Sequence, residues 1–136
     1  MNTDIYPDLE LGSDTKRILR DETQKIIGFA FDVLNEVGQG LNEKVYENSL
    51  VVLFKHNGIA FDQQRRFQVF FRGVKVGEFI PGCIAFGSVI VDAKVIGPIT
   101  DHERGQILNY LRITILRVGL ILNFKHSRLE WERVVA

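Results

Sequence analysis

The chain has 136 residues, which is room for one domain with one core and not for two. Seventeen basic residues balance seventeen acidic ones, so no net field advertises nucleic acid, and any contact with phosphates needs a local patch. The single cysteine, Cys83, excludes an internal disulfide, and no apolar stretch is long enough to span a bilayer. Met1–Leu11 carries three acids and no basic residue or apolar run, unlike a secretory signal, and a cytoplasmic location without membrane attachment is expected.

The first twenty residues mix Asp, Gly, Ser and Lys with little periodicity and read as a loosely attached arm before a domain over 21–136. From Thr23, a candidate N-cap, Ile27, Ala30, Phe31, Leu34 and Val37 recur at steps of three and four, predicting a helix that ends at Gly38-Gln39-Gly40. A second helix is predicted from Asn42 or Glu43, with Tyr46, Leu50, Leu53 and Phe54 on its apolar side and Asn57-Gly58 closing it. Ile59 to Phe71 alternates loosely and is rich in Phe and Val, as strands are. Arg72-Gly73 reads as a hairpin turn into a strand over Val74–Phe79. Gly87-Ser88 reads as another, leading to Val89–Ile96, whose near-continuous apolar run suits a strand buried on both faces. Gly97-Pro98 stops that strand. Asp101 to about Leu116 is predicted helical, with Asp101 near the cap and Ile107, Leu108 and Leu111 toward the core. Val118–Phe124 and Leu129–Val135 read as two last strands around a Lys125–Arg128 turn. The order ααβββαββ predicts an α/β fold, its third helix crossing over to allow a mixed sheet.

Three clusters carry candidate chemistry. Glu43 and Tyr46 share a face at the mouth of the second helix, although a first-turn Glu also complements the helix dipole without any site. Asp92 and Lys94, two apart on a strand, project to one side between apolar flanks, where charges are costly unless paired or bound. A structural ion pair explains them. So does metal-assisted phosphodiester hydrolysis, with the carboxylate holding a divalent cation and the lysine steadying charge. Gln106 and Tyr110 lie one turn apart, an arrangement equally at home on any amphipathic helix.

Taken in order, Gly40-x-x-Glu43-x-x-Tyr46, Asp92-x-Lys94 and Gln106-x-x-x-Tyr110 resemble the bacterial GxxExxY family of PD-(D/E)XK-like proteins. The likeness runs from about Thr23 to the C-terminus. It includes the Gly-x-Gly-Leu lead-in at Gly38 to Leu41 and the Leu-Asn-Tyr-Leu and Gly-Leu-Ile-Leu-Asn-Phe segments ending at Leu111 and Phe124. It implies a PD-(D/E)XK nuclease-like core and, position by position, roles for these residues. Glu43 matches the assisting helix glutamate, Asp92 the acid of the E-x-K motif (usually Glu), and Lys94 the catalytic lysine. Gln106 and Tyr110 match the pair that contacts phosphate and substrate, and Tyr46 is counted with them as substrate-binding. The implied cofactor is Mg2+ or Mn2+, held by Glu43, Asp92 and the Ala93 backbone carbonyl.

One departure stands against these agreements. The family expects an aspartate ten residues before the E-x-K acid, and that position is Gly82, beside Pro81. The nearest upstream acid, Glu78, lies four residues away, about 13 Å along a strand. Asp92 also reaches roughly 1.5 Å less far than a glutamate would. The resemblance therefore predicts a degraded metal site, with weak or absent cleavage and retained binding of DNA or another nucleic acid. Arg65, Arg66, Arg72, Lys75, Arg104 and Arg112 are the candidates for a local basic surface. The alternatives are an active DNA nuclease with a rearranged site and a non-catalytic regulatory subunit, with a homodimer as a candidate assembly.

Overall fold

The computed structural model describes residues 17–136 and, as backbone, Asp4–Ile5. In chain order the elements are β1 (Asp4–Ile5), α1 (Arg20–Val37), α2 (Glu43–His56), β2 (Phe61–Asp62), β3 (Phe67–Phe71), β4 (Val74–Phe79), β5 (Cys83–Ala85), β6 (Val89–Lys94), α3 (Asp101–Thr114), β7 (Val118–Asn123) and β8 (Glu130–Val135). Apart from residues 17–20 and the β1 backbone, the arm expected over 1–20 lies outside the described residues.

A six-stranded mixed sheet runs β1-β8-β7-β6-β5-β2, and α3 is the crossover that makes β6 and β7 parallel. Strand alternation then sorts the core into two layers. Val89, Val91, Ala93, Val118, Leu120 and Leu122 pack under α1 and α2. Ile84, Ile90, Ile121 and Val134 meet Ile107 and Leu111 of α3 on the other face. Gly119 matters to that second layer. A Cβ there would lie 2.5 Å from Ile107 Cδ1, so the absence of a side chain lets α3 come down onto β7.

Several sequence expectations are corrected. Thr23 is not the N-cap; α1 begins earlier, after Leu19 in a left-handed conformation, and the Thr23 hydroxyl donates back to Arg20 O at 3.0 Å. The buried stripe of α1 is Ile26, Ile27, Ala30, Val33 and Leu34, leaving Phe31 and Val37 exposed. Thr100, one residue before Asp101, caps α3 with a reciprocal Glu103 bond. The single strand expected over Ile59–Phe71 splits in two. Its first piece, β2, joins the main sheet through β5, while β3 pairs with β4 as a separate hairpin. That hairpin turns at Arg72-Gly73 with positive φ at both residues (48° and 79°), the backbone of a type I′ turn.

Tyr46 anchors α2 to its surroundings. It is wholly buried, stacks on Phe124 with ring centres 4.3 Å apart, donates its hydroxyl to Gly38 O at 2.7 Å and accepts from Leu41 N–H at 2.9 Å. The substrate contact expected of Tyr46 is therefore corrected to a scaffolding one, because its hydroxyl is spent on the loop that aims Glu43. Tyr46→Phe should cost about 1–3 kcal/mol in unfolding free energy, since it strands a buried carbonyl and amide. A shift in the urea midpoint at unchanged slope is the measurement that checks this.

Candidate functional site

The candidate site forms where the sheet is left open. Strand β5 stops at Cys83, opposite Val91, whereas β6 continues to Lys94 with β7 on its other side. Asp92 to Lys94 thus have a strand neighbour on one edge only. Successive carbonyls along a strand point to opposite edges. Lys94 O accepts from Phe124 N–H at 2.8 Å on the β7 side, so the Ala93 carbonyl is directed to the open edge.

Alternation puts Asp92 and Lys94 on the α3 side of the sheet, with Ile90 beneath them. Lys94 Nζ donates to Gln106 Oε1 at 3.0 Å and lies 3.5 Å from Asp92 Oδ2. Asp92 is 9% exposed, and its Oδ2 is buried without a hydrogen bond. Burial is the largest influence on its carboxyl, followed by the opposing attraction of Lys94 and the repulsion of Glu43 and Glu47; together they push its pKa up to about 6. Tyr110 stacks on Phe79 at 4.9 Å, and its hydroxyl is shifted upward by burial and then by the Asp92 charge. Glu43 reaches over from the first turn of α2, where Oε1 accepts from Val95 N–H at 3.3 Å. The structure therefore gathers Glu43, Asp92, Ala93, Lys94, Gln106 and Tyr110 around one open sheet edge, and leaves Tyr46 below it.

Sequence reasoning missed two supports. Asn123 is 1% exposed and ties the 95–100 loop down. Its Nδ2 donates to Gly97 O at 2.7 Å and Glu130 Oε1 at 2.9 Å, and its Oδ1 accepts from Ile96 N–H at 3.1 Å. Glu47, 8% exposed on α2, adds the second nearby carboxylate. The basic patch is also thinner than expected. Arg104 is committed to Glu132 at 3.0 Å and Asp101 at 2.9 Å, and Arg66 and Lys75 both bind Glu78. Arg65 and Arg72 lie over Phe67 and Phe71 on the β3–β4 hairpin, beside exposed Phe70, Val74 and Val76.

Among the described residues, no group of three or more His, Cys, Asp or Glu side chains is placed to hold a metal ion by itself. The donors present suit a different kind of binding. Magnesium keeps several waters and takes one or two carboxylates plus substrate phosphate. The buried Asp92 Oδ2, without a hydrogen bond and 3.5 Å from Lys94 Nζ, and the open-edge Ala93 carbonyl fit that demand. The family model described as the PD-(D/E)XK nuclease superfamily matches residues 20–134. No curated protein and no solved structure matches the chain.

Proposed function

The chain belongs to the PD-(D/E)XK nuclease superfamily, and from that premise we propose that it binds nucleic acid and hydrolyses its phosphodiester bonds with Mg2+ or Mn2+ at the open edge of β6. The observation that carries this reading is Asp92, a carboxylate kept in a costly buried position whose Oδ2 makes no hydrogen bond and is paired with Lys94 Nζ at 3.5 Å. When bound, a divalent cation supplies charge to the phosphate and makes water acidic enough to attack near neutral pH.

The protein's own groups have separable tasks. Asp92 and the Ala93 carbonyl offer oxygens to the cation, and Glu43 adds negative charge from the α2 side. Gln106 accepts from Lys94 and so fixes where the ammonium points, toward the phosphate oxygen that gains charge as the bond breaks. Tyr110 keeps its proton at neutral pH and can donate to a phosphate oxygen. Assignment to the GxxExxY branch rests on the ordered residues of the motifs and is part of the same proposal.

The test is cleavage of labelled single- and double-stranded DNA and RNA in Mg2+ or Mn2+, with chelator as control. Lys94→Met should lower the rate by on the order of a hundredfold or more, with nucleic-acid retention at low salt preserved. Cleavage by Lys94→Met at the wild-type rate would overturn the assignment. Retention without cleavage by the native protein would favour a second reading, a binding protein that has lost catalysis, for which glycine at position 82 and the aromatic, arginine-bearing hairpin speak.

A further inference from the structure

We infer that the β3–β4 hairpin is a platform for a single strand of nucleic acid, with unstacked bases laid on Phe70 and Phe71 and backbone phosphates met by Arg65 and Arg72. This rests on the proposed nucleic-acid function and names the form of substrate that reaches its site.

The hairpin forms a two-stranded sheet of its own, fixed at the root and bare at the tip. At the root, Phe79 stacks on Tyr110 with ring centres 4.9 Å apart and meets Phe67 at 5.8 Å. Tyr110 is one turn of α3 from Gln106, which holds Lys94, so the ribbon starts beside the candidate site. At the tip, Phe70 is 59% exposed and Phe71 63%, with Val74 and Val76 equally open. Residues directly opposite on paired strands share a face, and consecutive ones alternate. Phe70 lies opposite Lys75 and Phe71 opposite Val74, so the two rings stand on opposite faces of the ribbon.

Charge decides which occupant suits these rings. The segment from Arg65 to Phe79 holds four basic residues and one acid, in a chain with no net charge. That acid, Glu78, binds Arg66 and Lys75, and among the described residues neither Arg65 nor Arg72 forms an ion pair. Their guanidinium groups lie over rings instead, 4.9 Å from the centre of Phe67 and 5.2 Å from that of Phe71. A second copy of the hairpin would set like charges against each other, and a lysine on a strand edge guards against strand addition. A polyanion answers the charges, and exposed rings select one whose bases are open. In a duplex each base face is covered by its neighbours, whereas a single strand can lay its bases on Phe rings and guanidinium planes.

The test is fluorescence anisotropy of a labelled oligothymidine and of a duplex of the same length, with the full chain in chelator so that nothing is cleaved. Phe70→Ala with Phe71→Ala should weaken binding of the single strand at least about tenfold and leave duplex binding within about twofold, while circular dichroism stays unchanged. Phe70→Leu with Phe71→Leu keeps apolar bulk without a ring; the same loss is expected, and this pair serves if the alanine pair does not fold. Arg65→Gln with Arg72→Gln should lower the slope of log affinity against log salt by about 1.4, at roughly 0.7 for each phosphate contact on a single strand. Wild-type single-strand affinity in the alanine and leucine pairs would overturn the platform and leave the proposed function standing. Equal loss on strand and duplex would overturn the choice of a single strand. A dimer in sedimentation that the alanine pair turns into a monomer, at unchanged affinity, would assign the face to a second copy instead. No retention of either nucleic acid by the native protein at low salt would overturn both the platform and the function it rests on.

Discussion

Returning the missing acid by Gly82→Asp is expected to damage the protein instead of improving it. The added Cβ meets Val91 O at 2.8 Å, and that carbonyl belongs to a strand paired on both sides at this point, so it cannot swing away as a long side chain would. The carboxyl that follows would then face Glu47 Oε1 across a gap that already holds one negative charge beside Asp92. Overpacking of this kind costs about 1–3 kcal/mol, and the like charges add to it, giving an expected loss of about 2–4 kcal/mol. In a domain of this size that is a Tm lower by on the order of 10 °C in chelator. Adding Glu47→Gln to the same chain should recover the electrostatic part and leave the steric part. A Gly82→Asp protein as stable as wild type would mean that the Val91 carbonyl and Glu47 yield to the added side chain, and that position 82 can take an acid.

Much of this arrangement was legible in the sequence because it depends on local rules. The turn at Arg72-Gly73, the stop at Asn57-Gly58 and the buried run from Val89 are set by punctuation and hydropathy. The period of two alone placed Asp92 and Lys94 on one face. What was not legible depends on where the chain goes after each element. Nothing between Asp62 and Phe67 marks the point at which the main sheet is abandoned for the β3–β4 hairpin; that is decided by pairing with β5 on one side and β4 on the other. Phe31 and Val37 fit the helical stripe of α1 but fall outside the arc that α2 and the sheet cover. Glu47 was hidden for a similar reason. In sequence it is a Glu three residues after Lys44, which describes many solvated helix faces. The signal that existed was Glu43 and Glu47 at i, i+4, a like-charge pair that an isolated helix disfavours, together with glycine at position 82.

Asp92→Asn should stabilise the metal-free protein at neutral pH and abolish metal binding in the same stroke. Folding raises the Asp92 carboxyl from 3.8 to about 6, so between those values the native state holds a proton that the unfolded chain has released. Stability therefore falls as pH rises through that window, the reverse of a salt-bridged carboxylate. Above pH 6 the full penalty applies, about 2 units at 1.36 kcal/mol each, or roughly 3 kcal/mol. Asparagine cannot ionise, so in chelator the variant should exceed wild type by about 2–3 kcal/mol at pH 7.5. The advantage should shrink below pH 6 and be gone below about pH 3, where wild-type Asp92 is neutral in both states. Saturating Mn2+ should stabilise wild type alone, because only the carboxylate binds the ion and binding to the native state adds to its stability. Urea titrations at pH 4.5 and 7.5, with and without Mn2+, measure all four quantities. A variant less stable than wild type at pH 7.5 in chelator would mean that Lys94 more than offsets the burial of Asp92. The site would then be a structural ion pair, with no strain held in reserve for a cation to relieve.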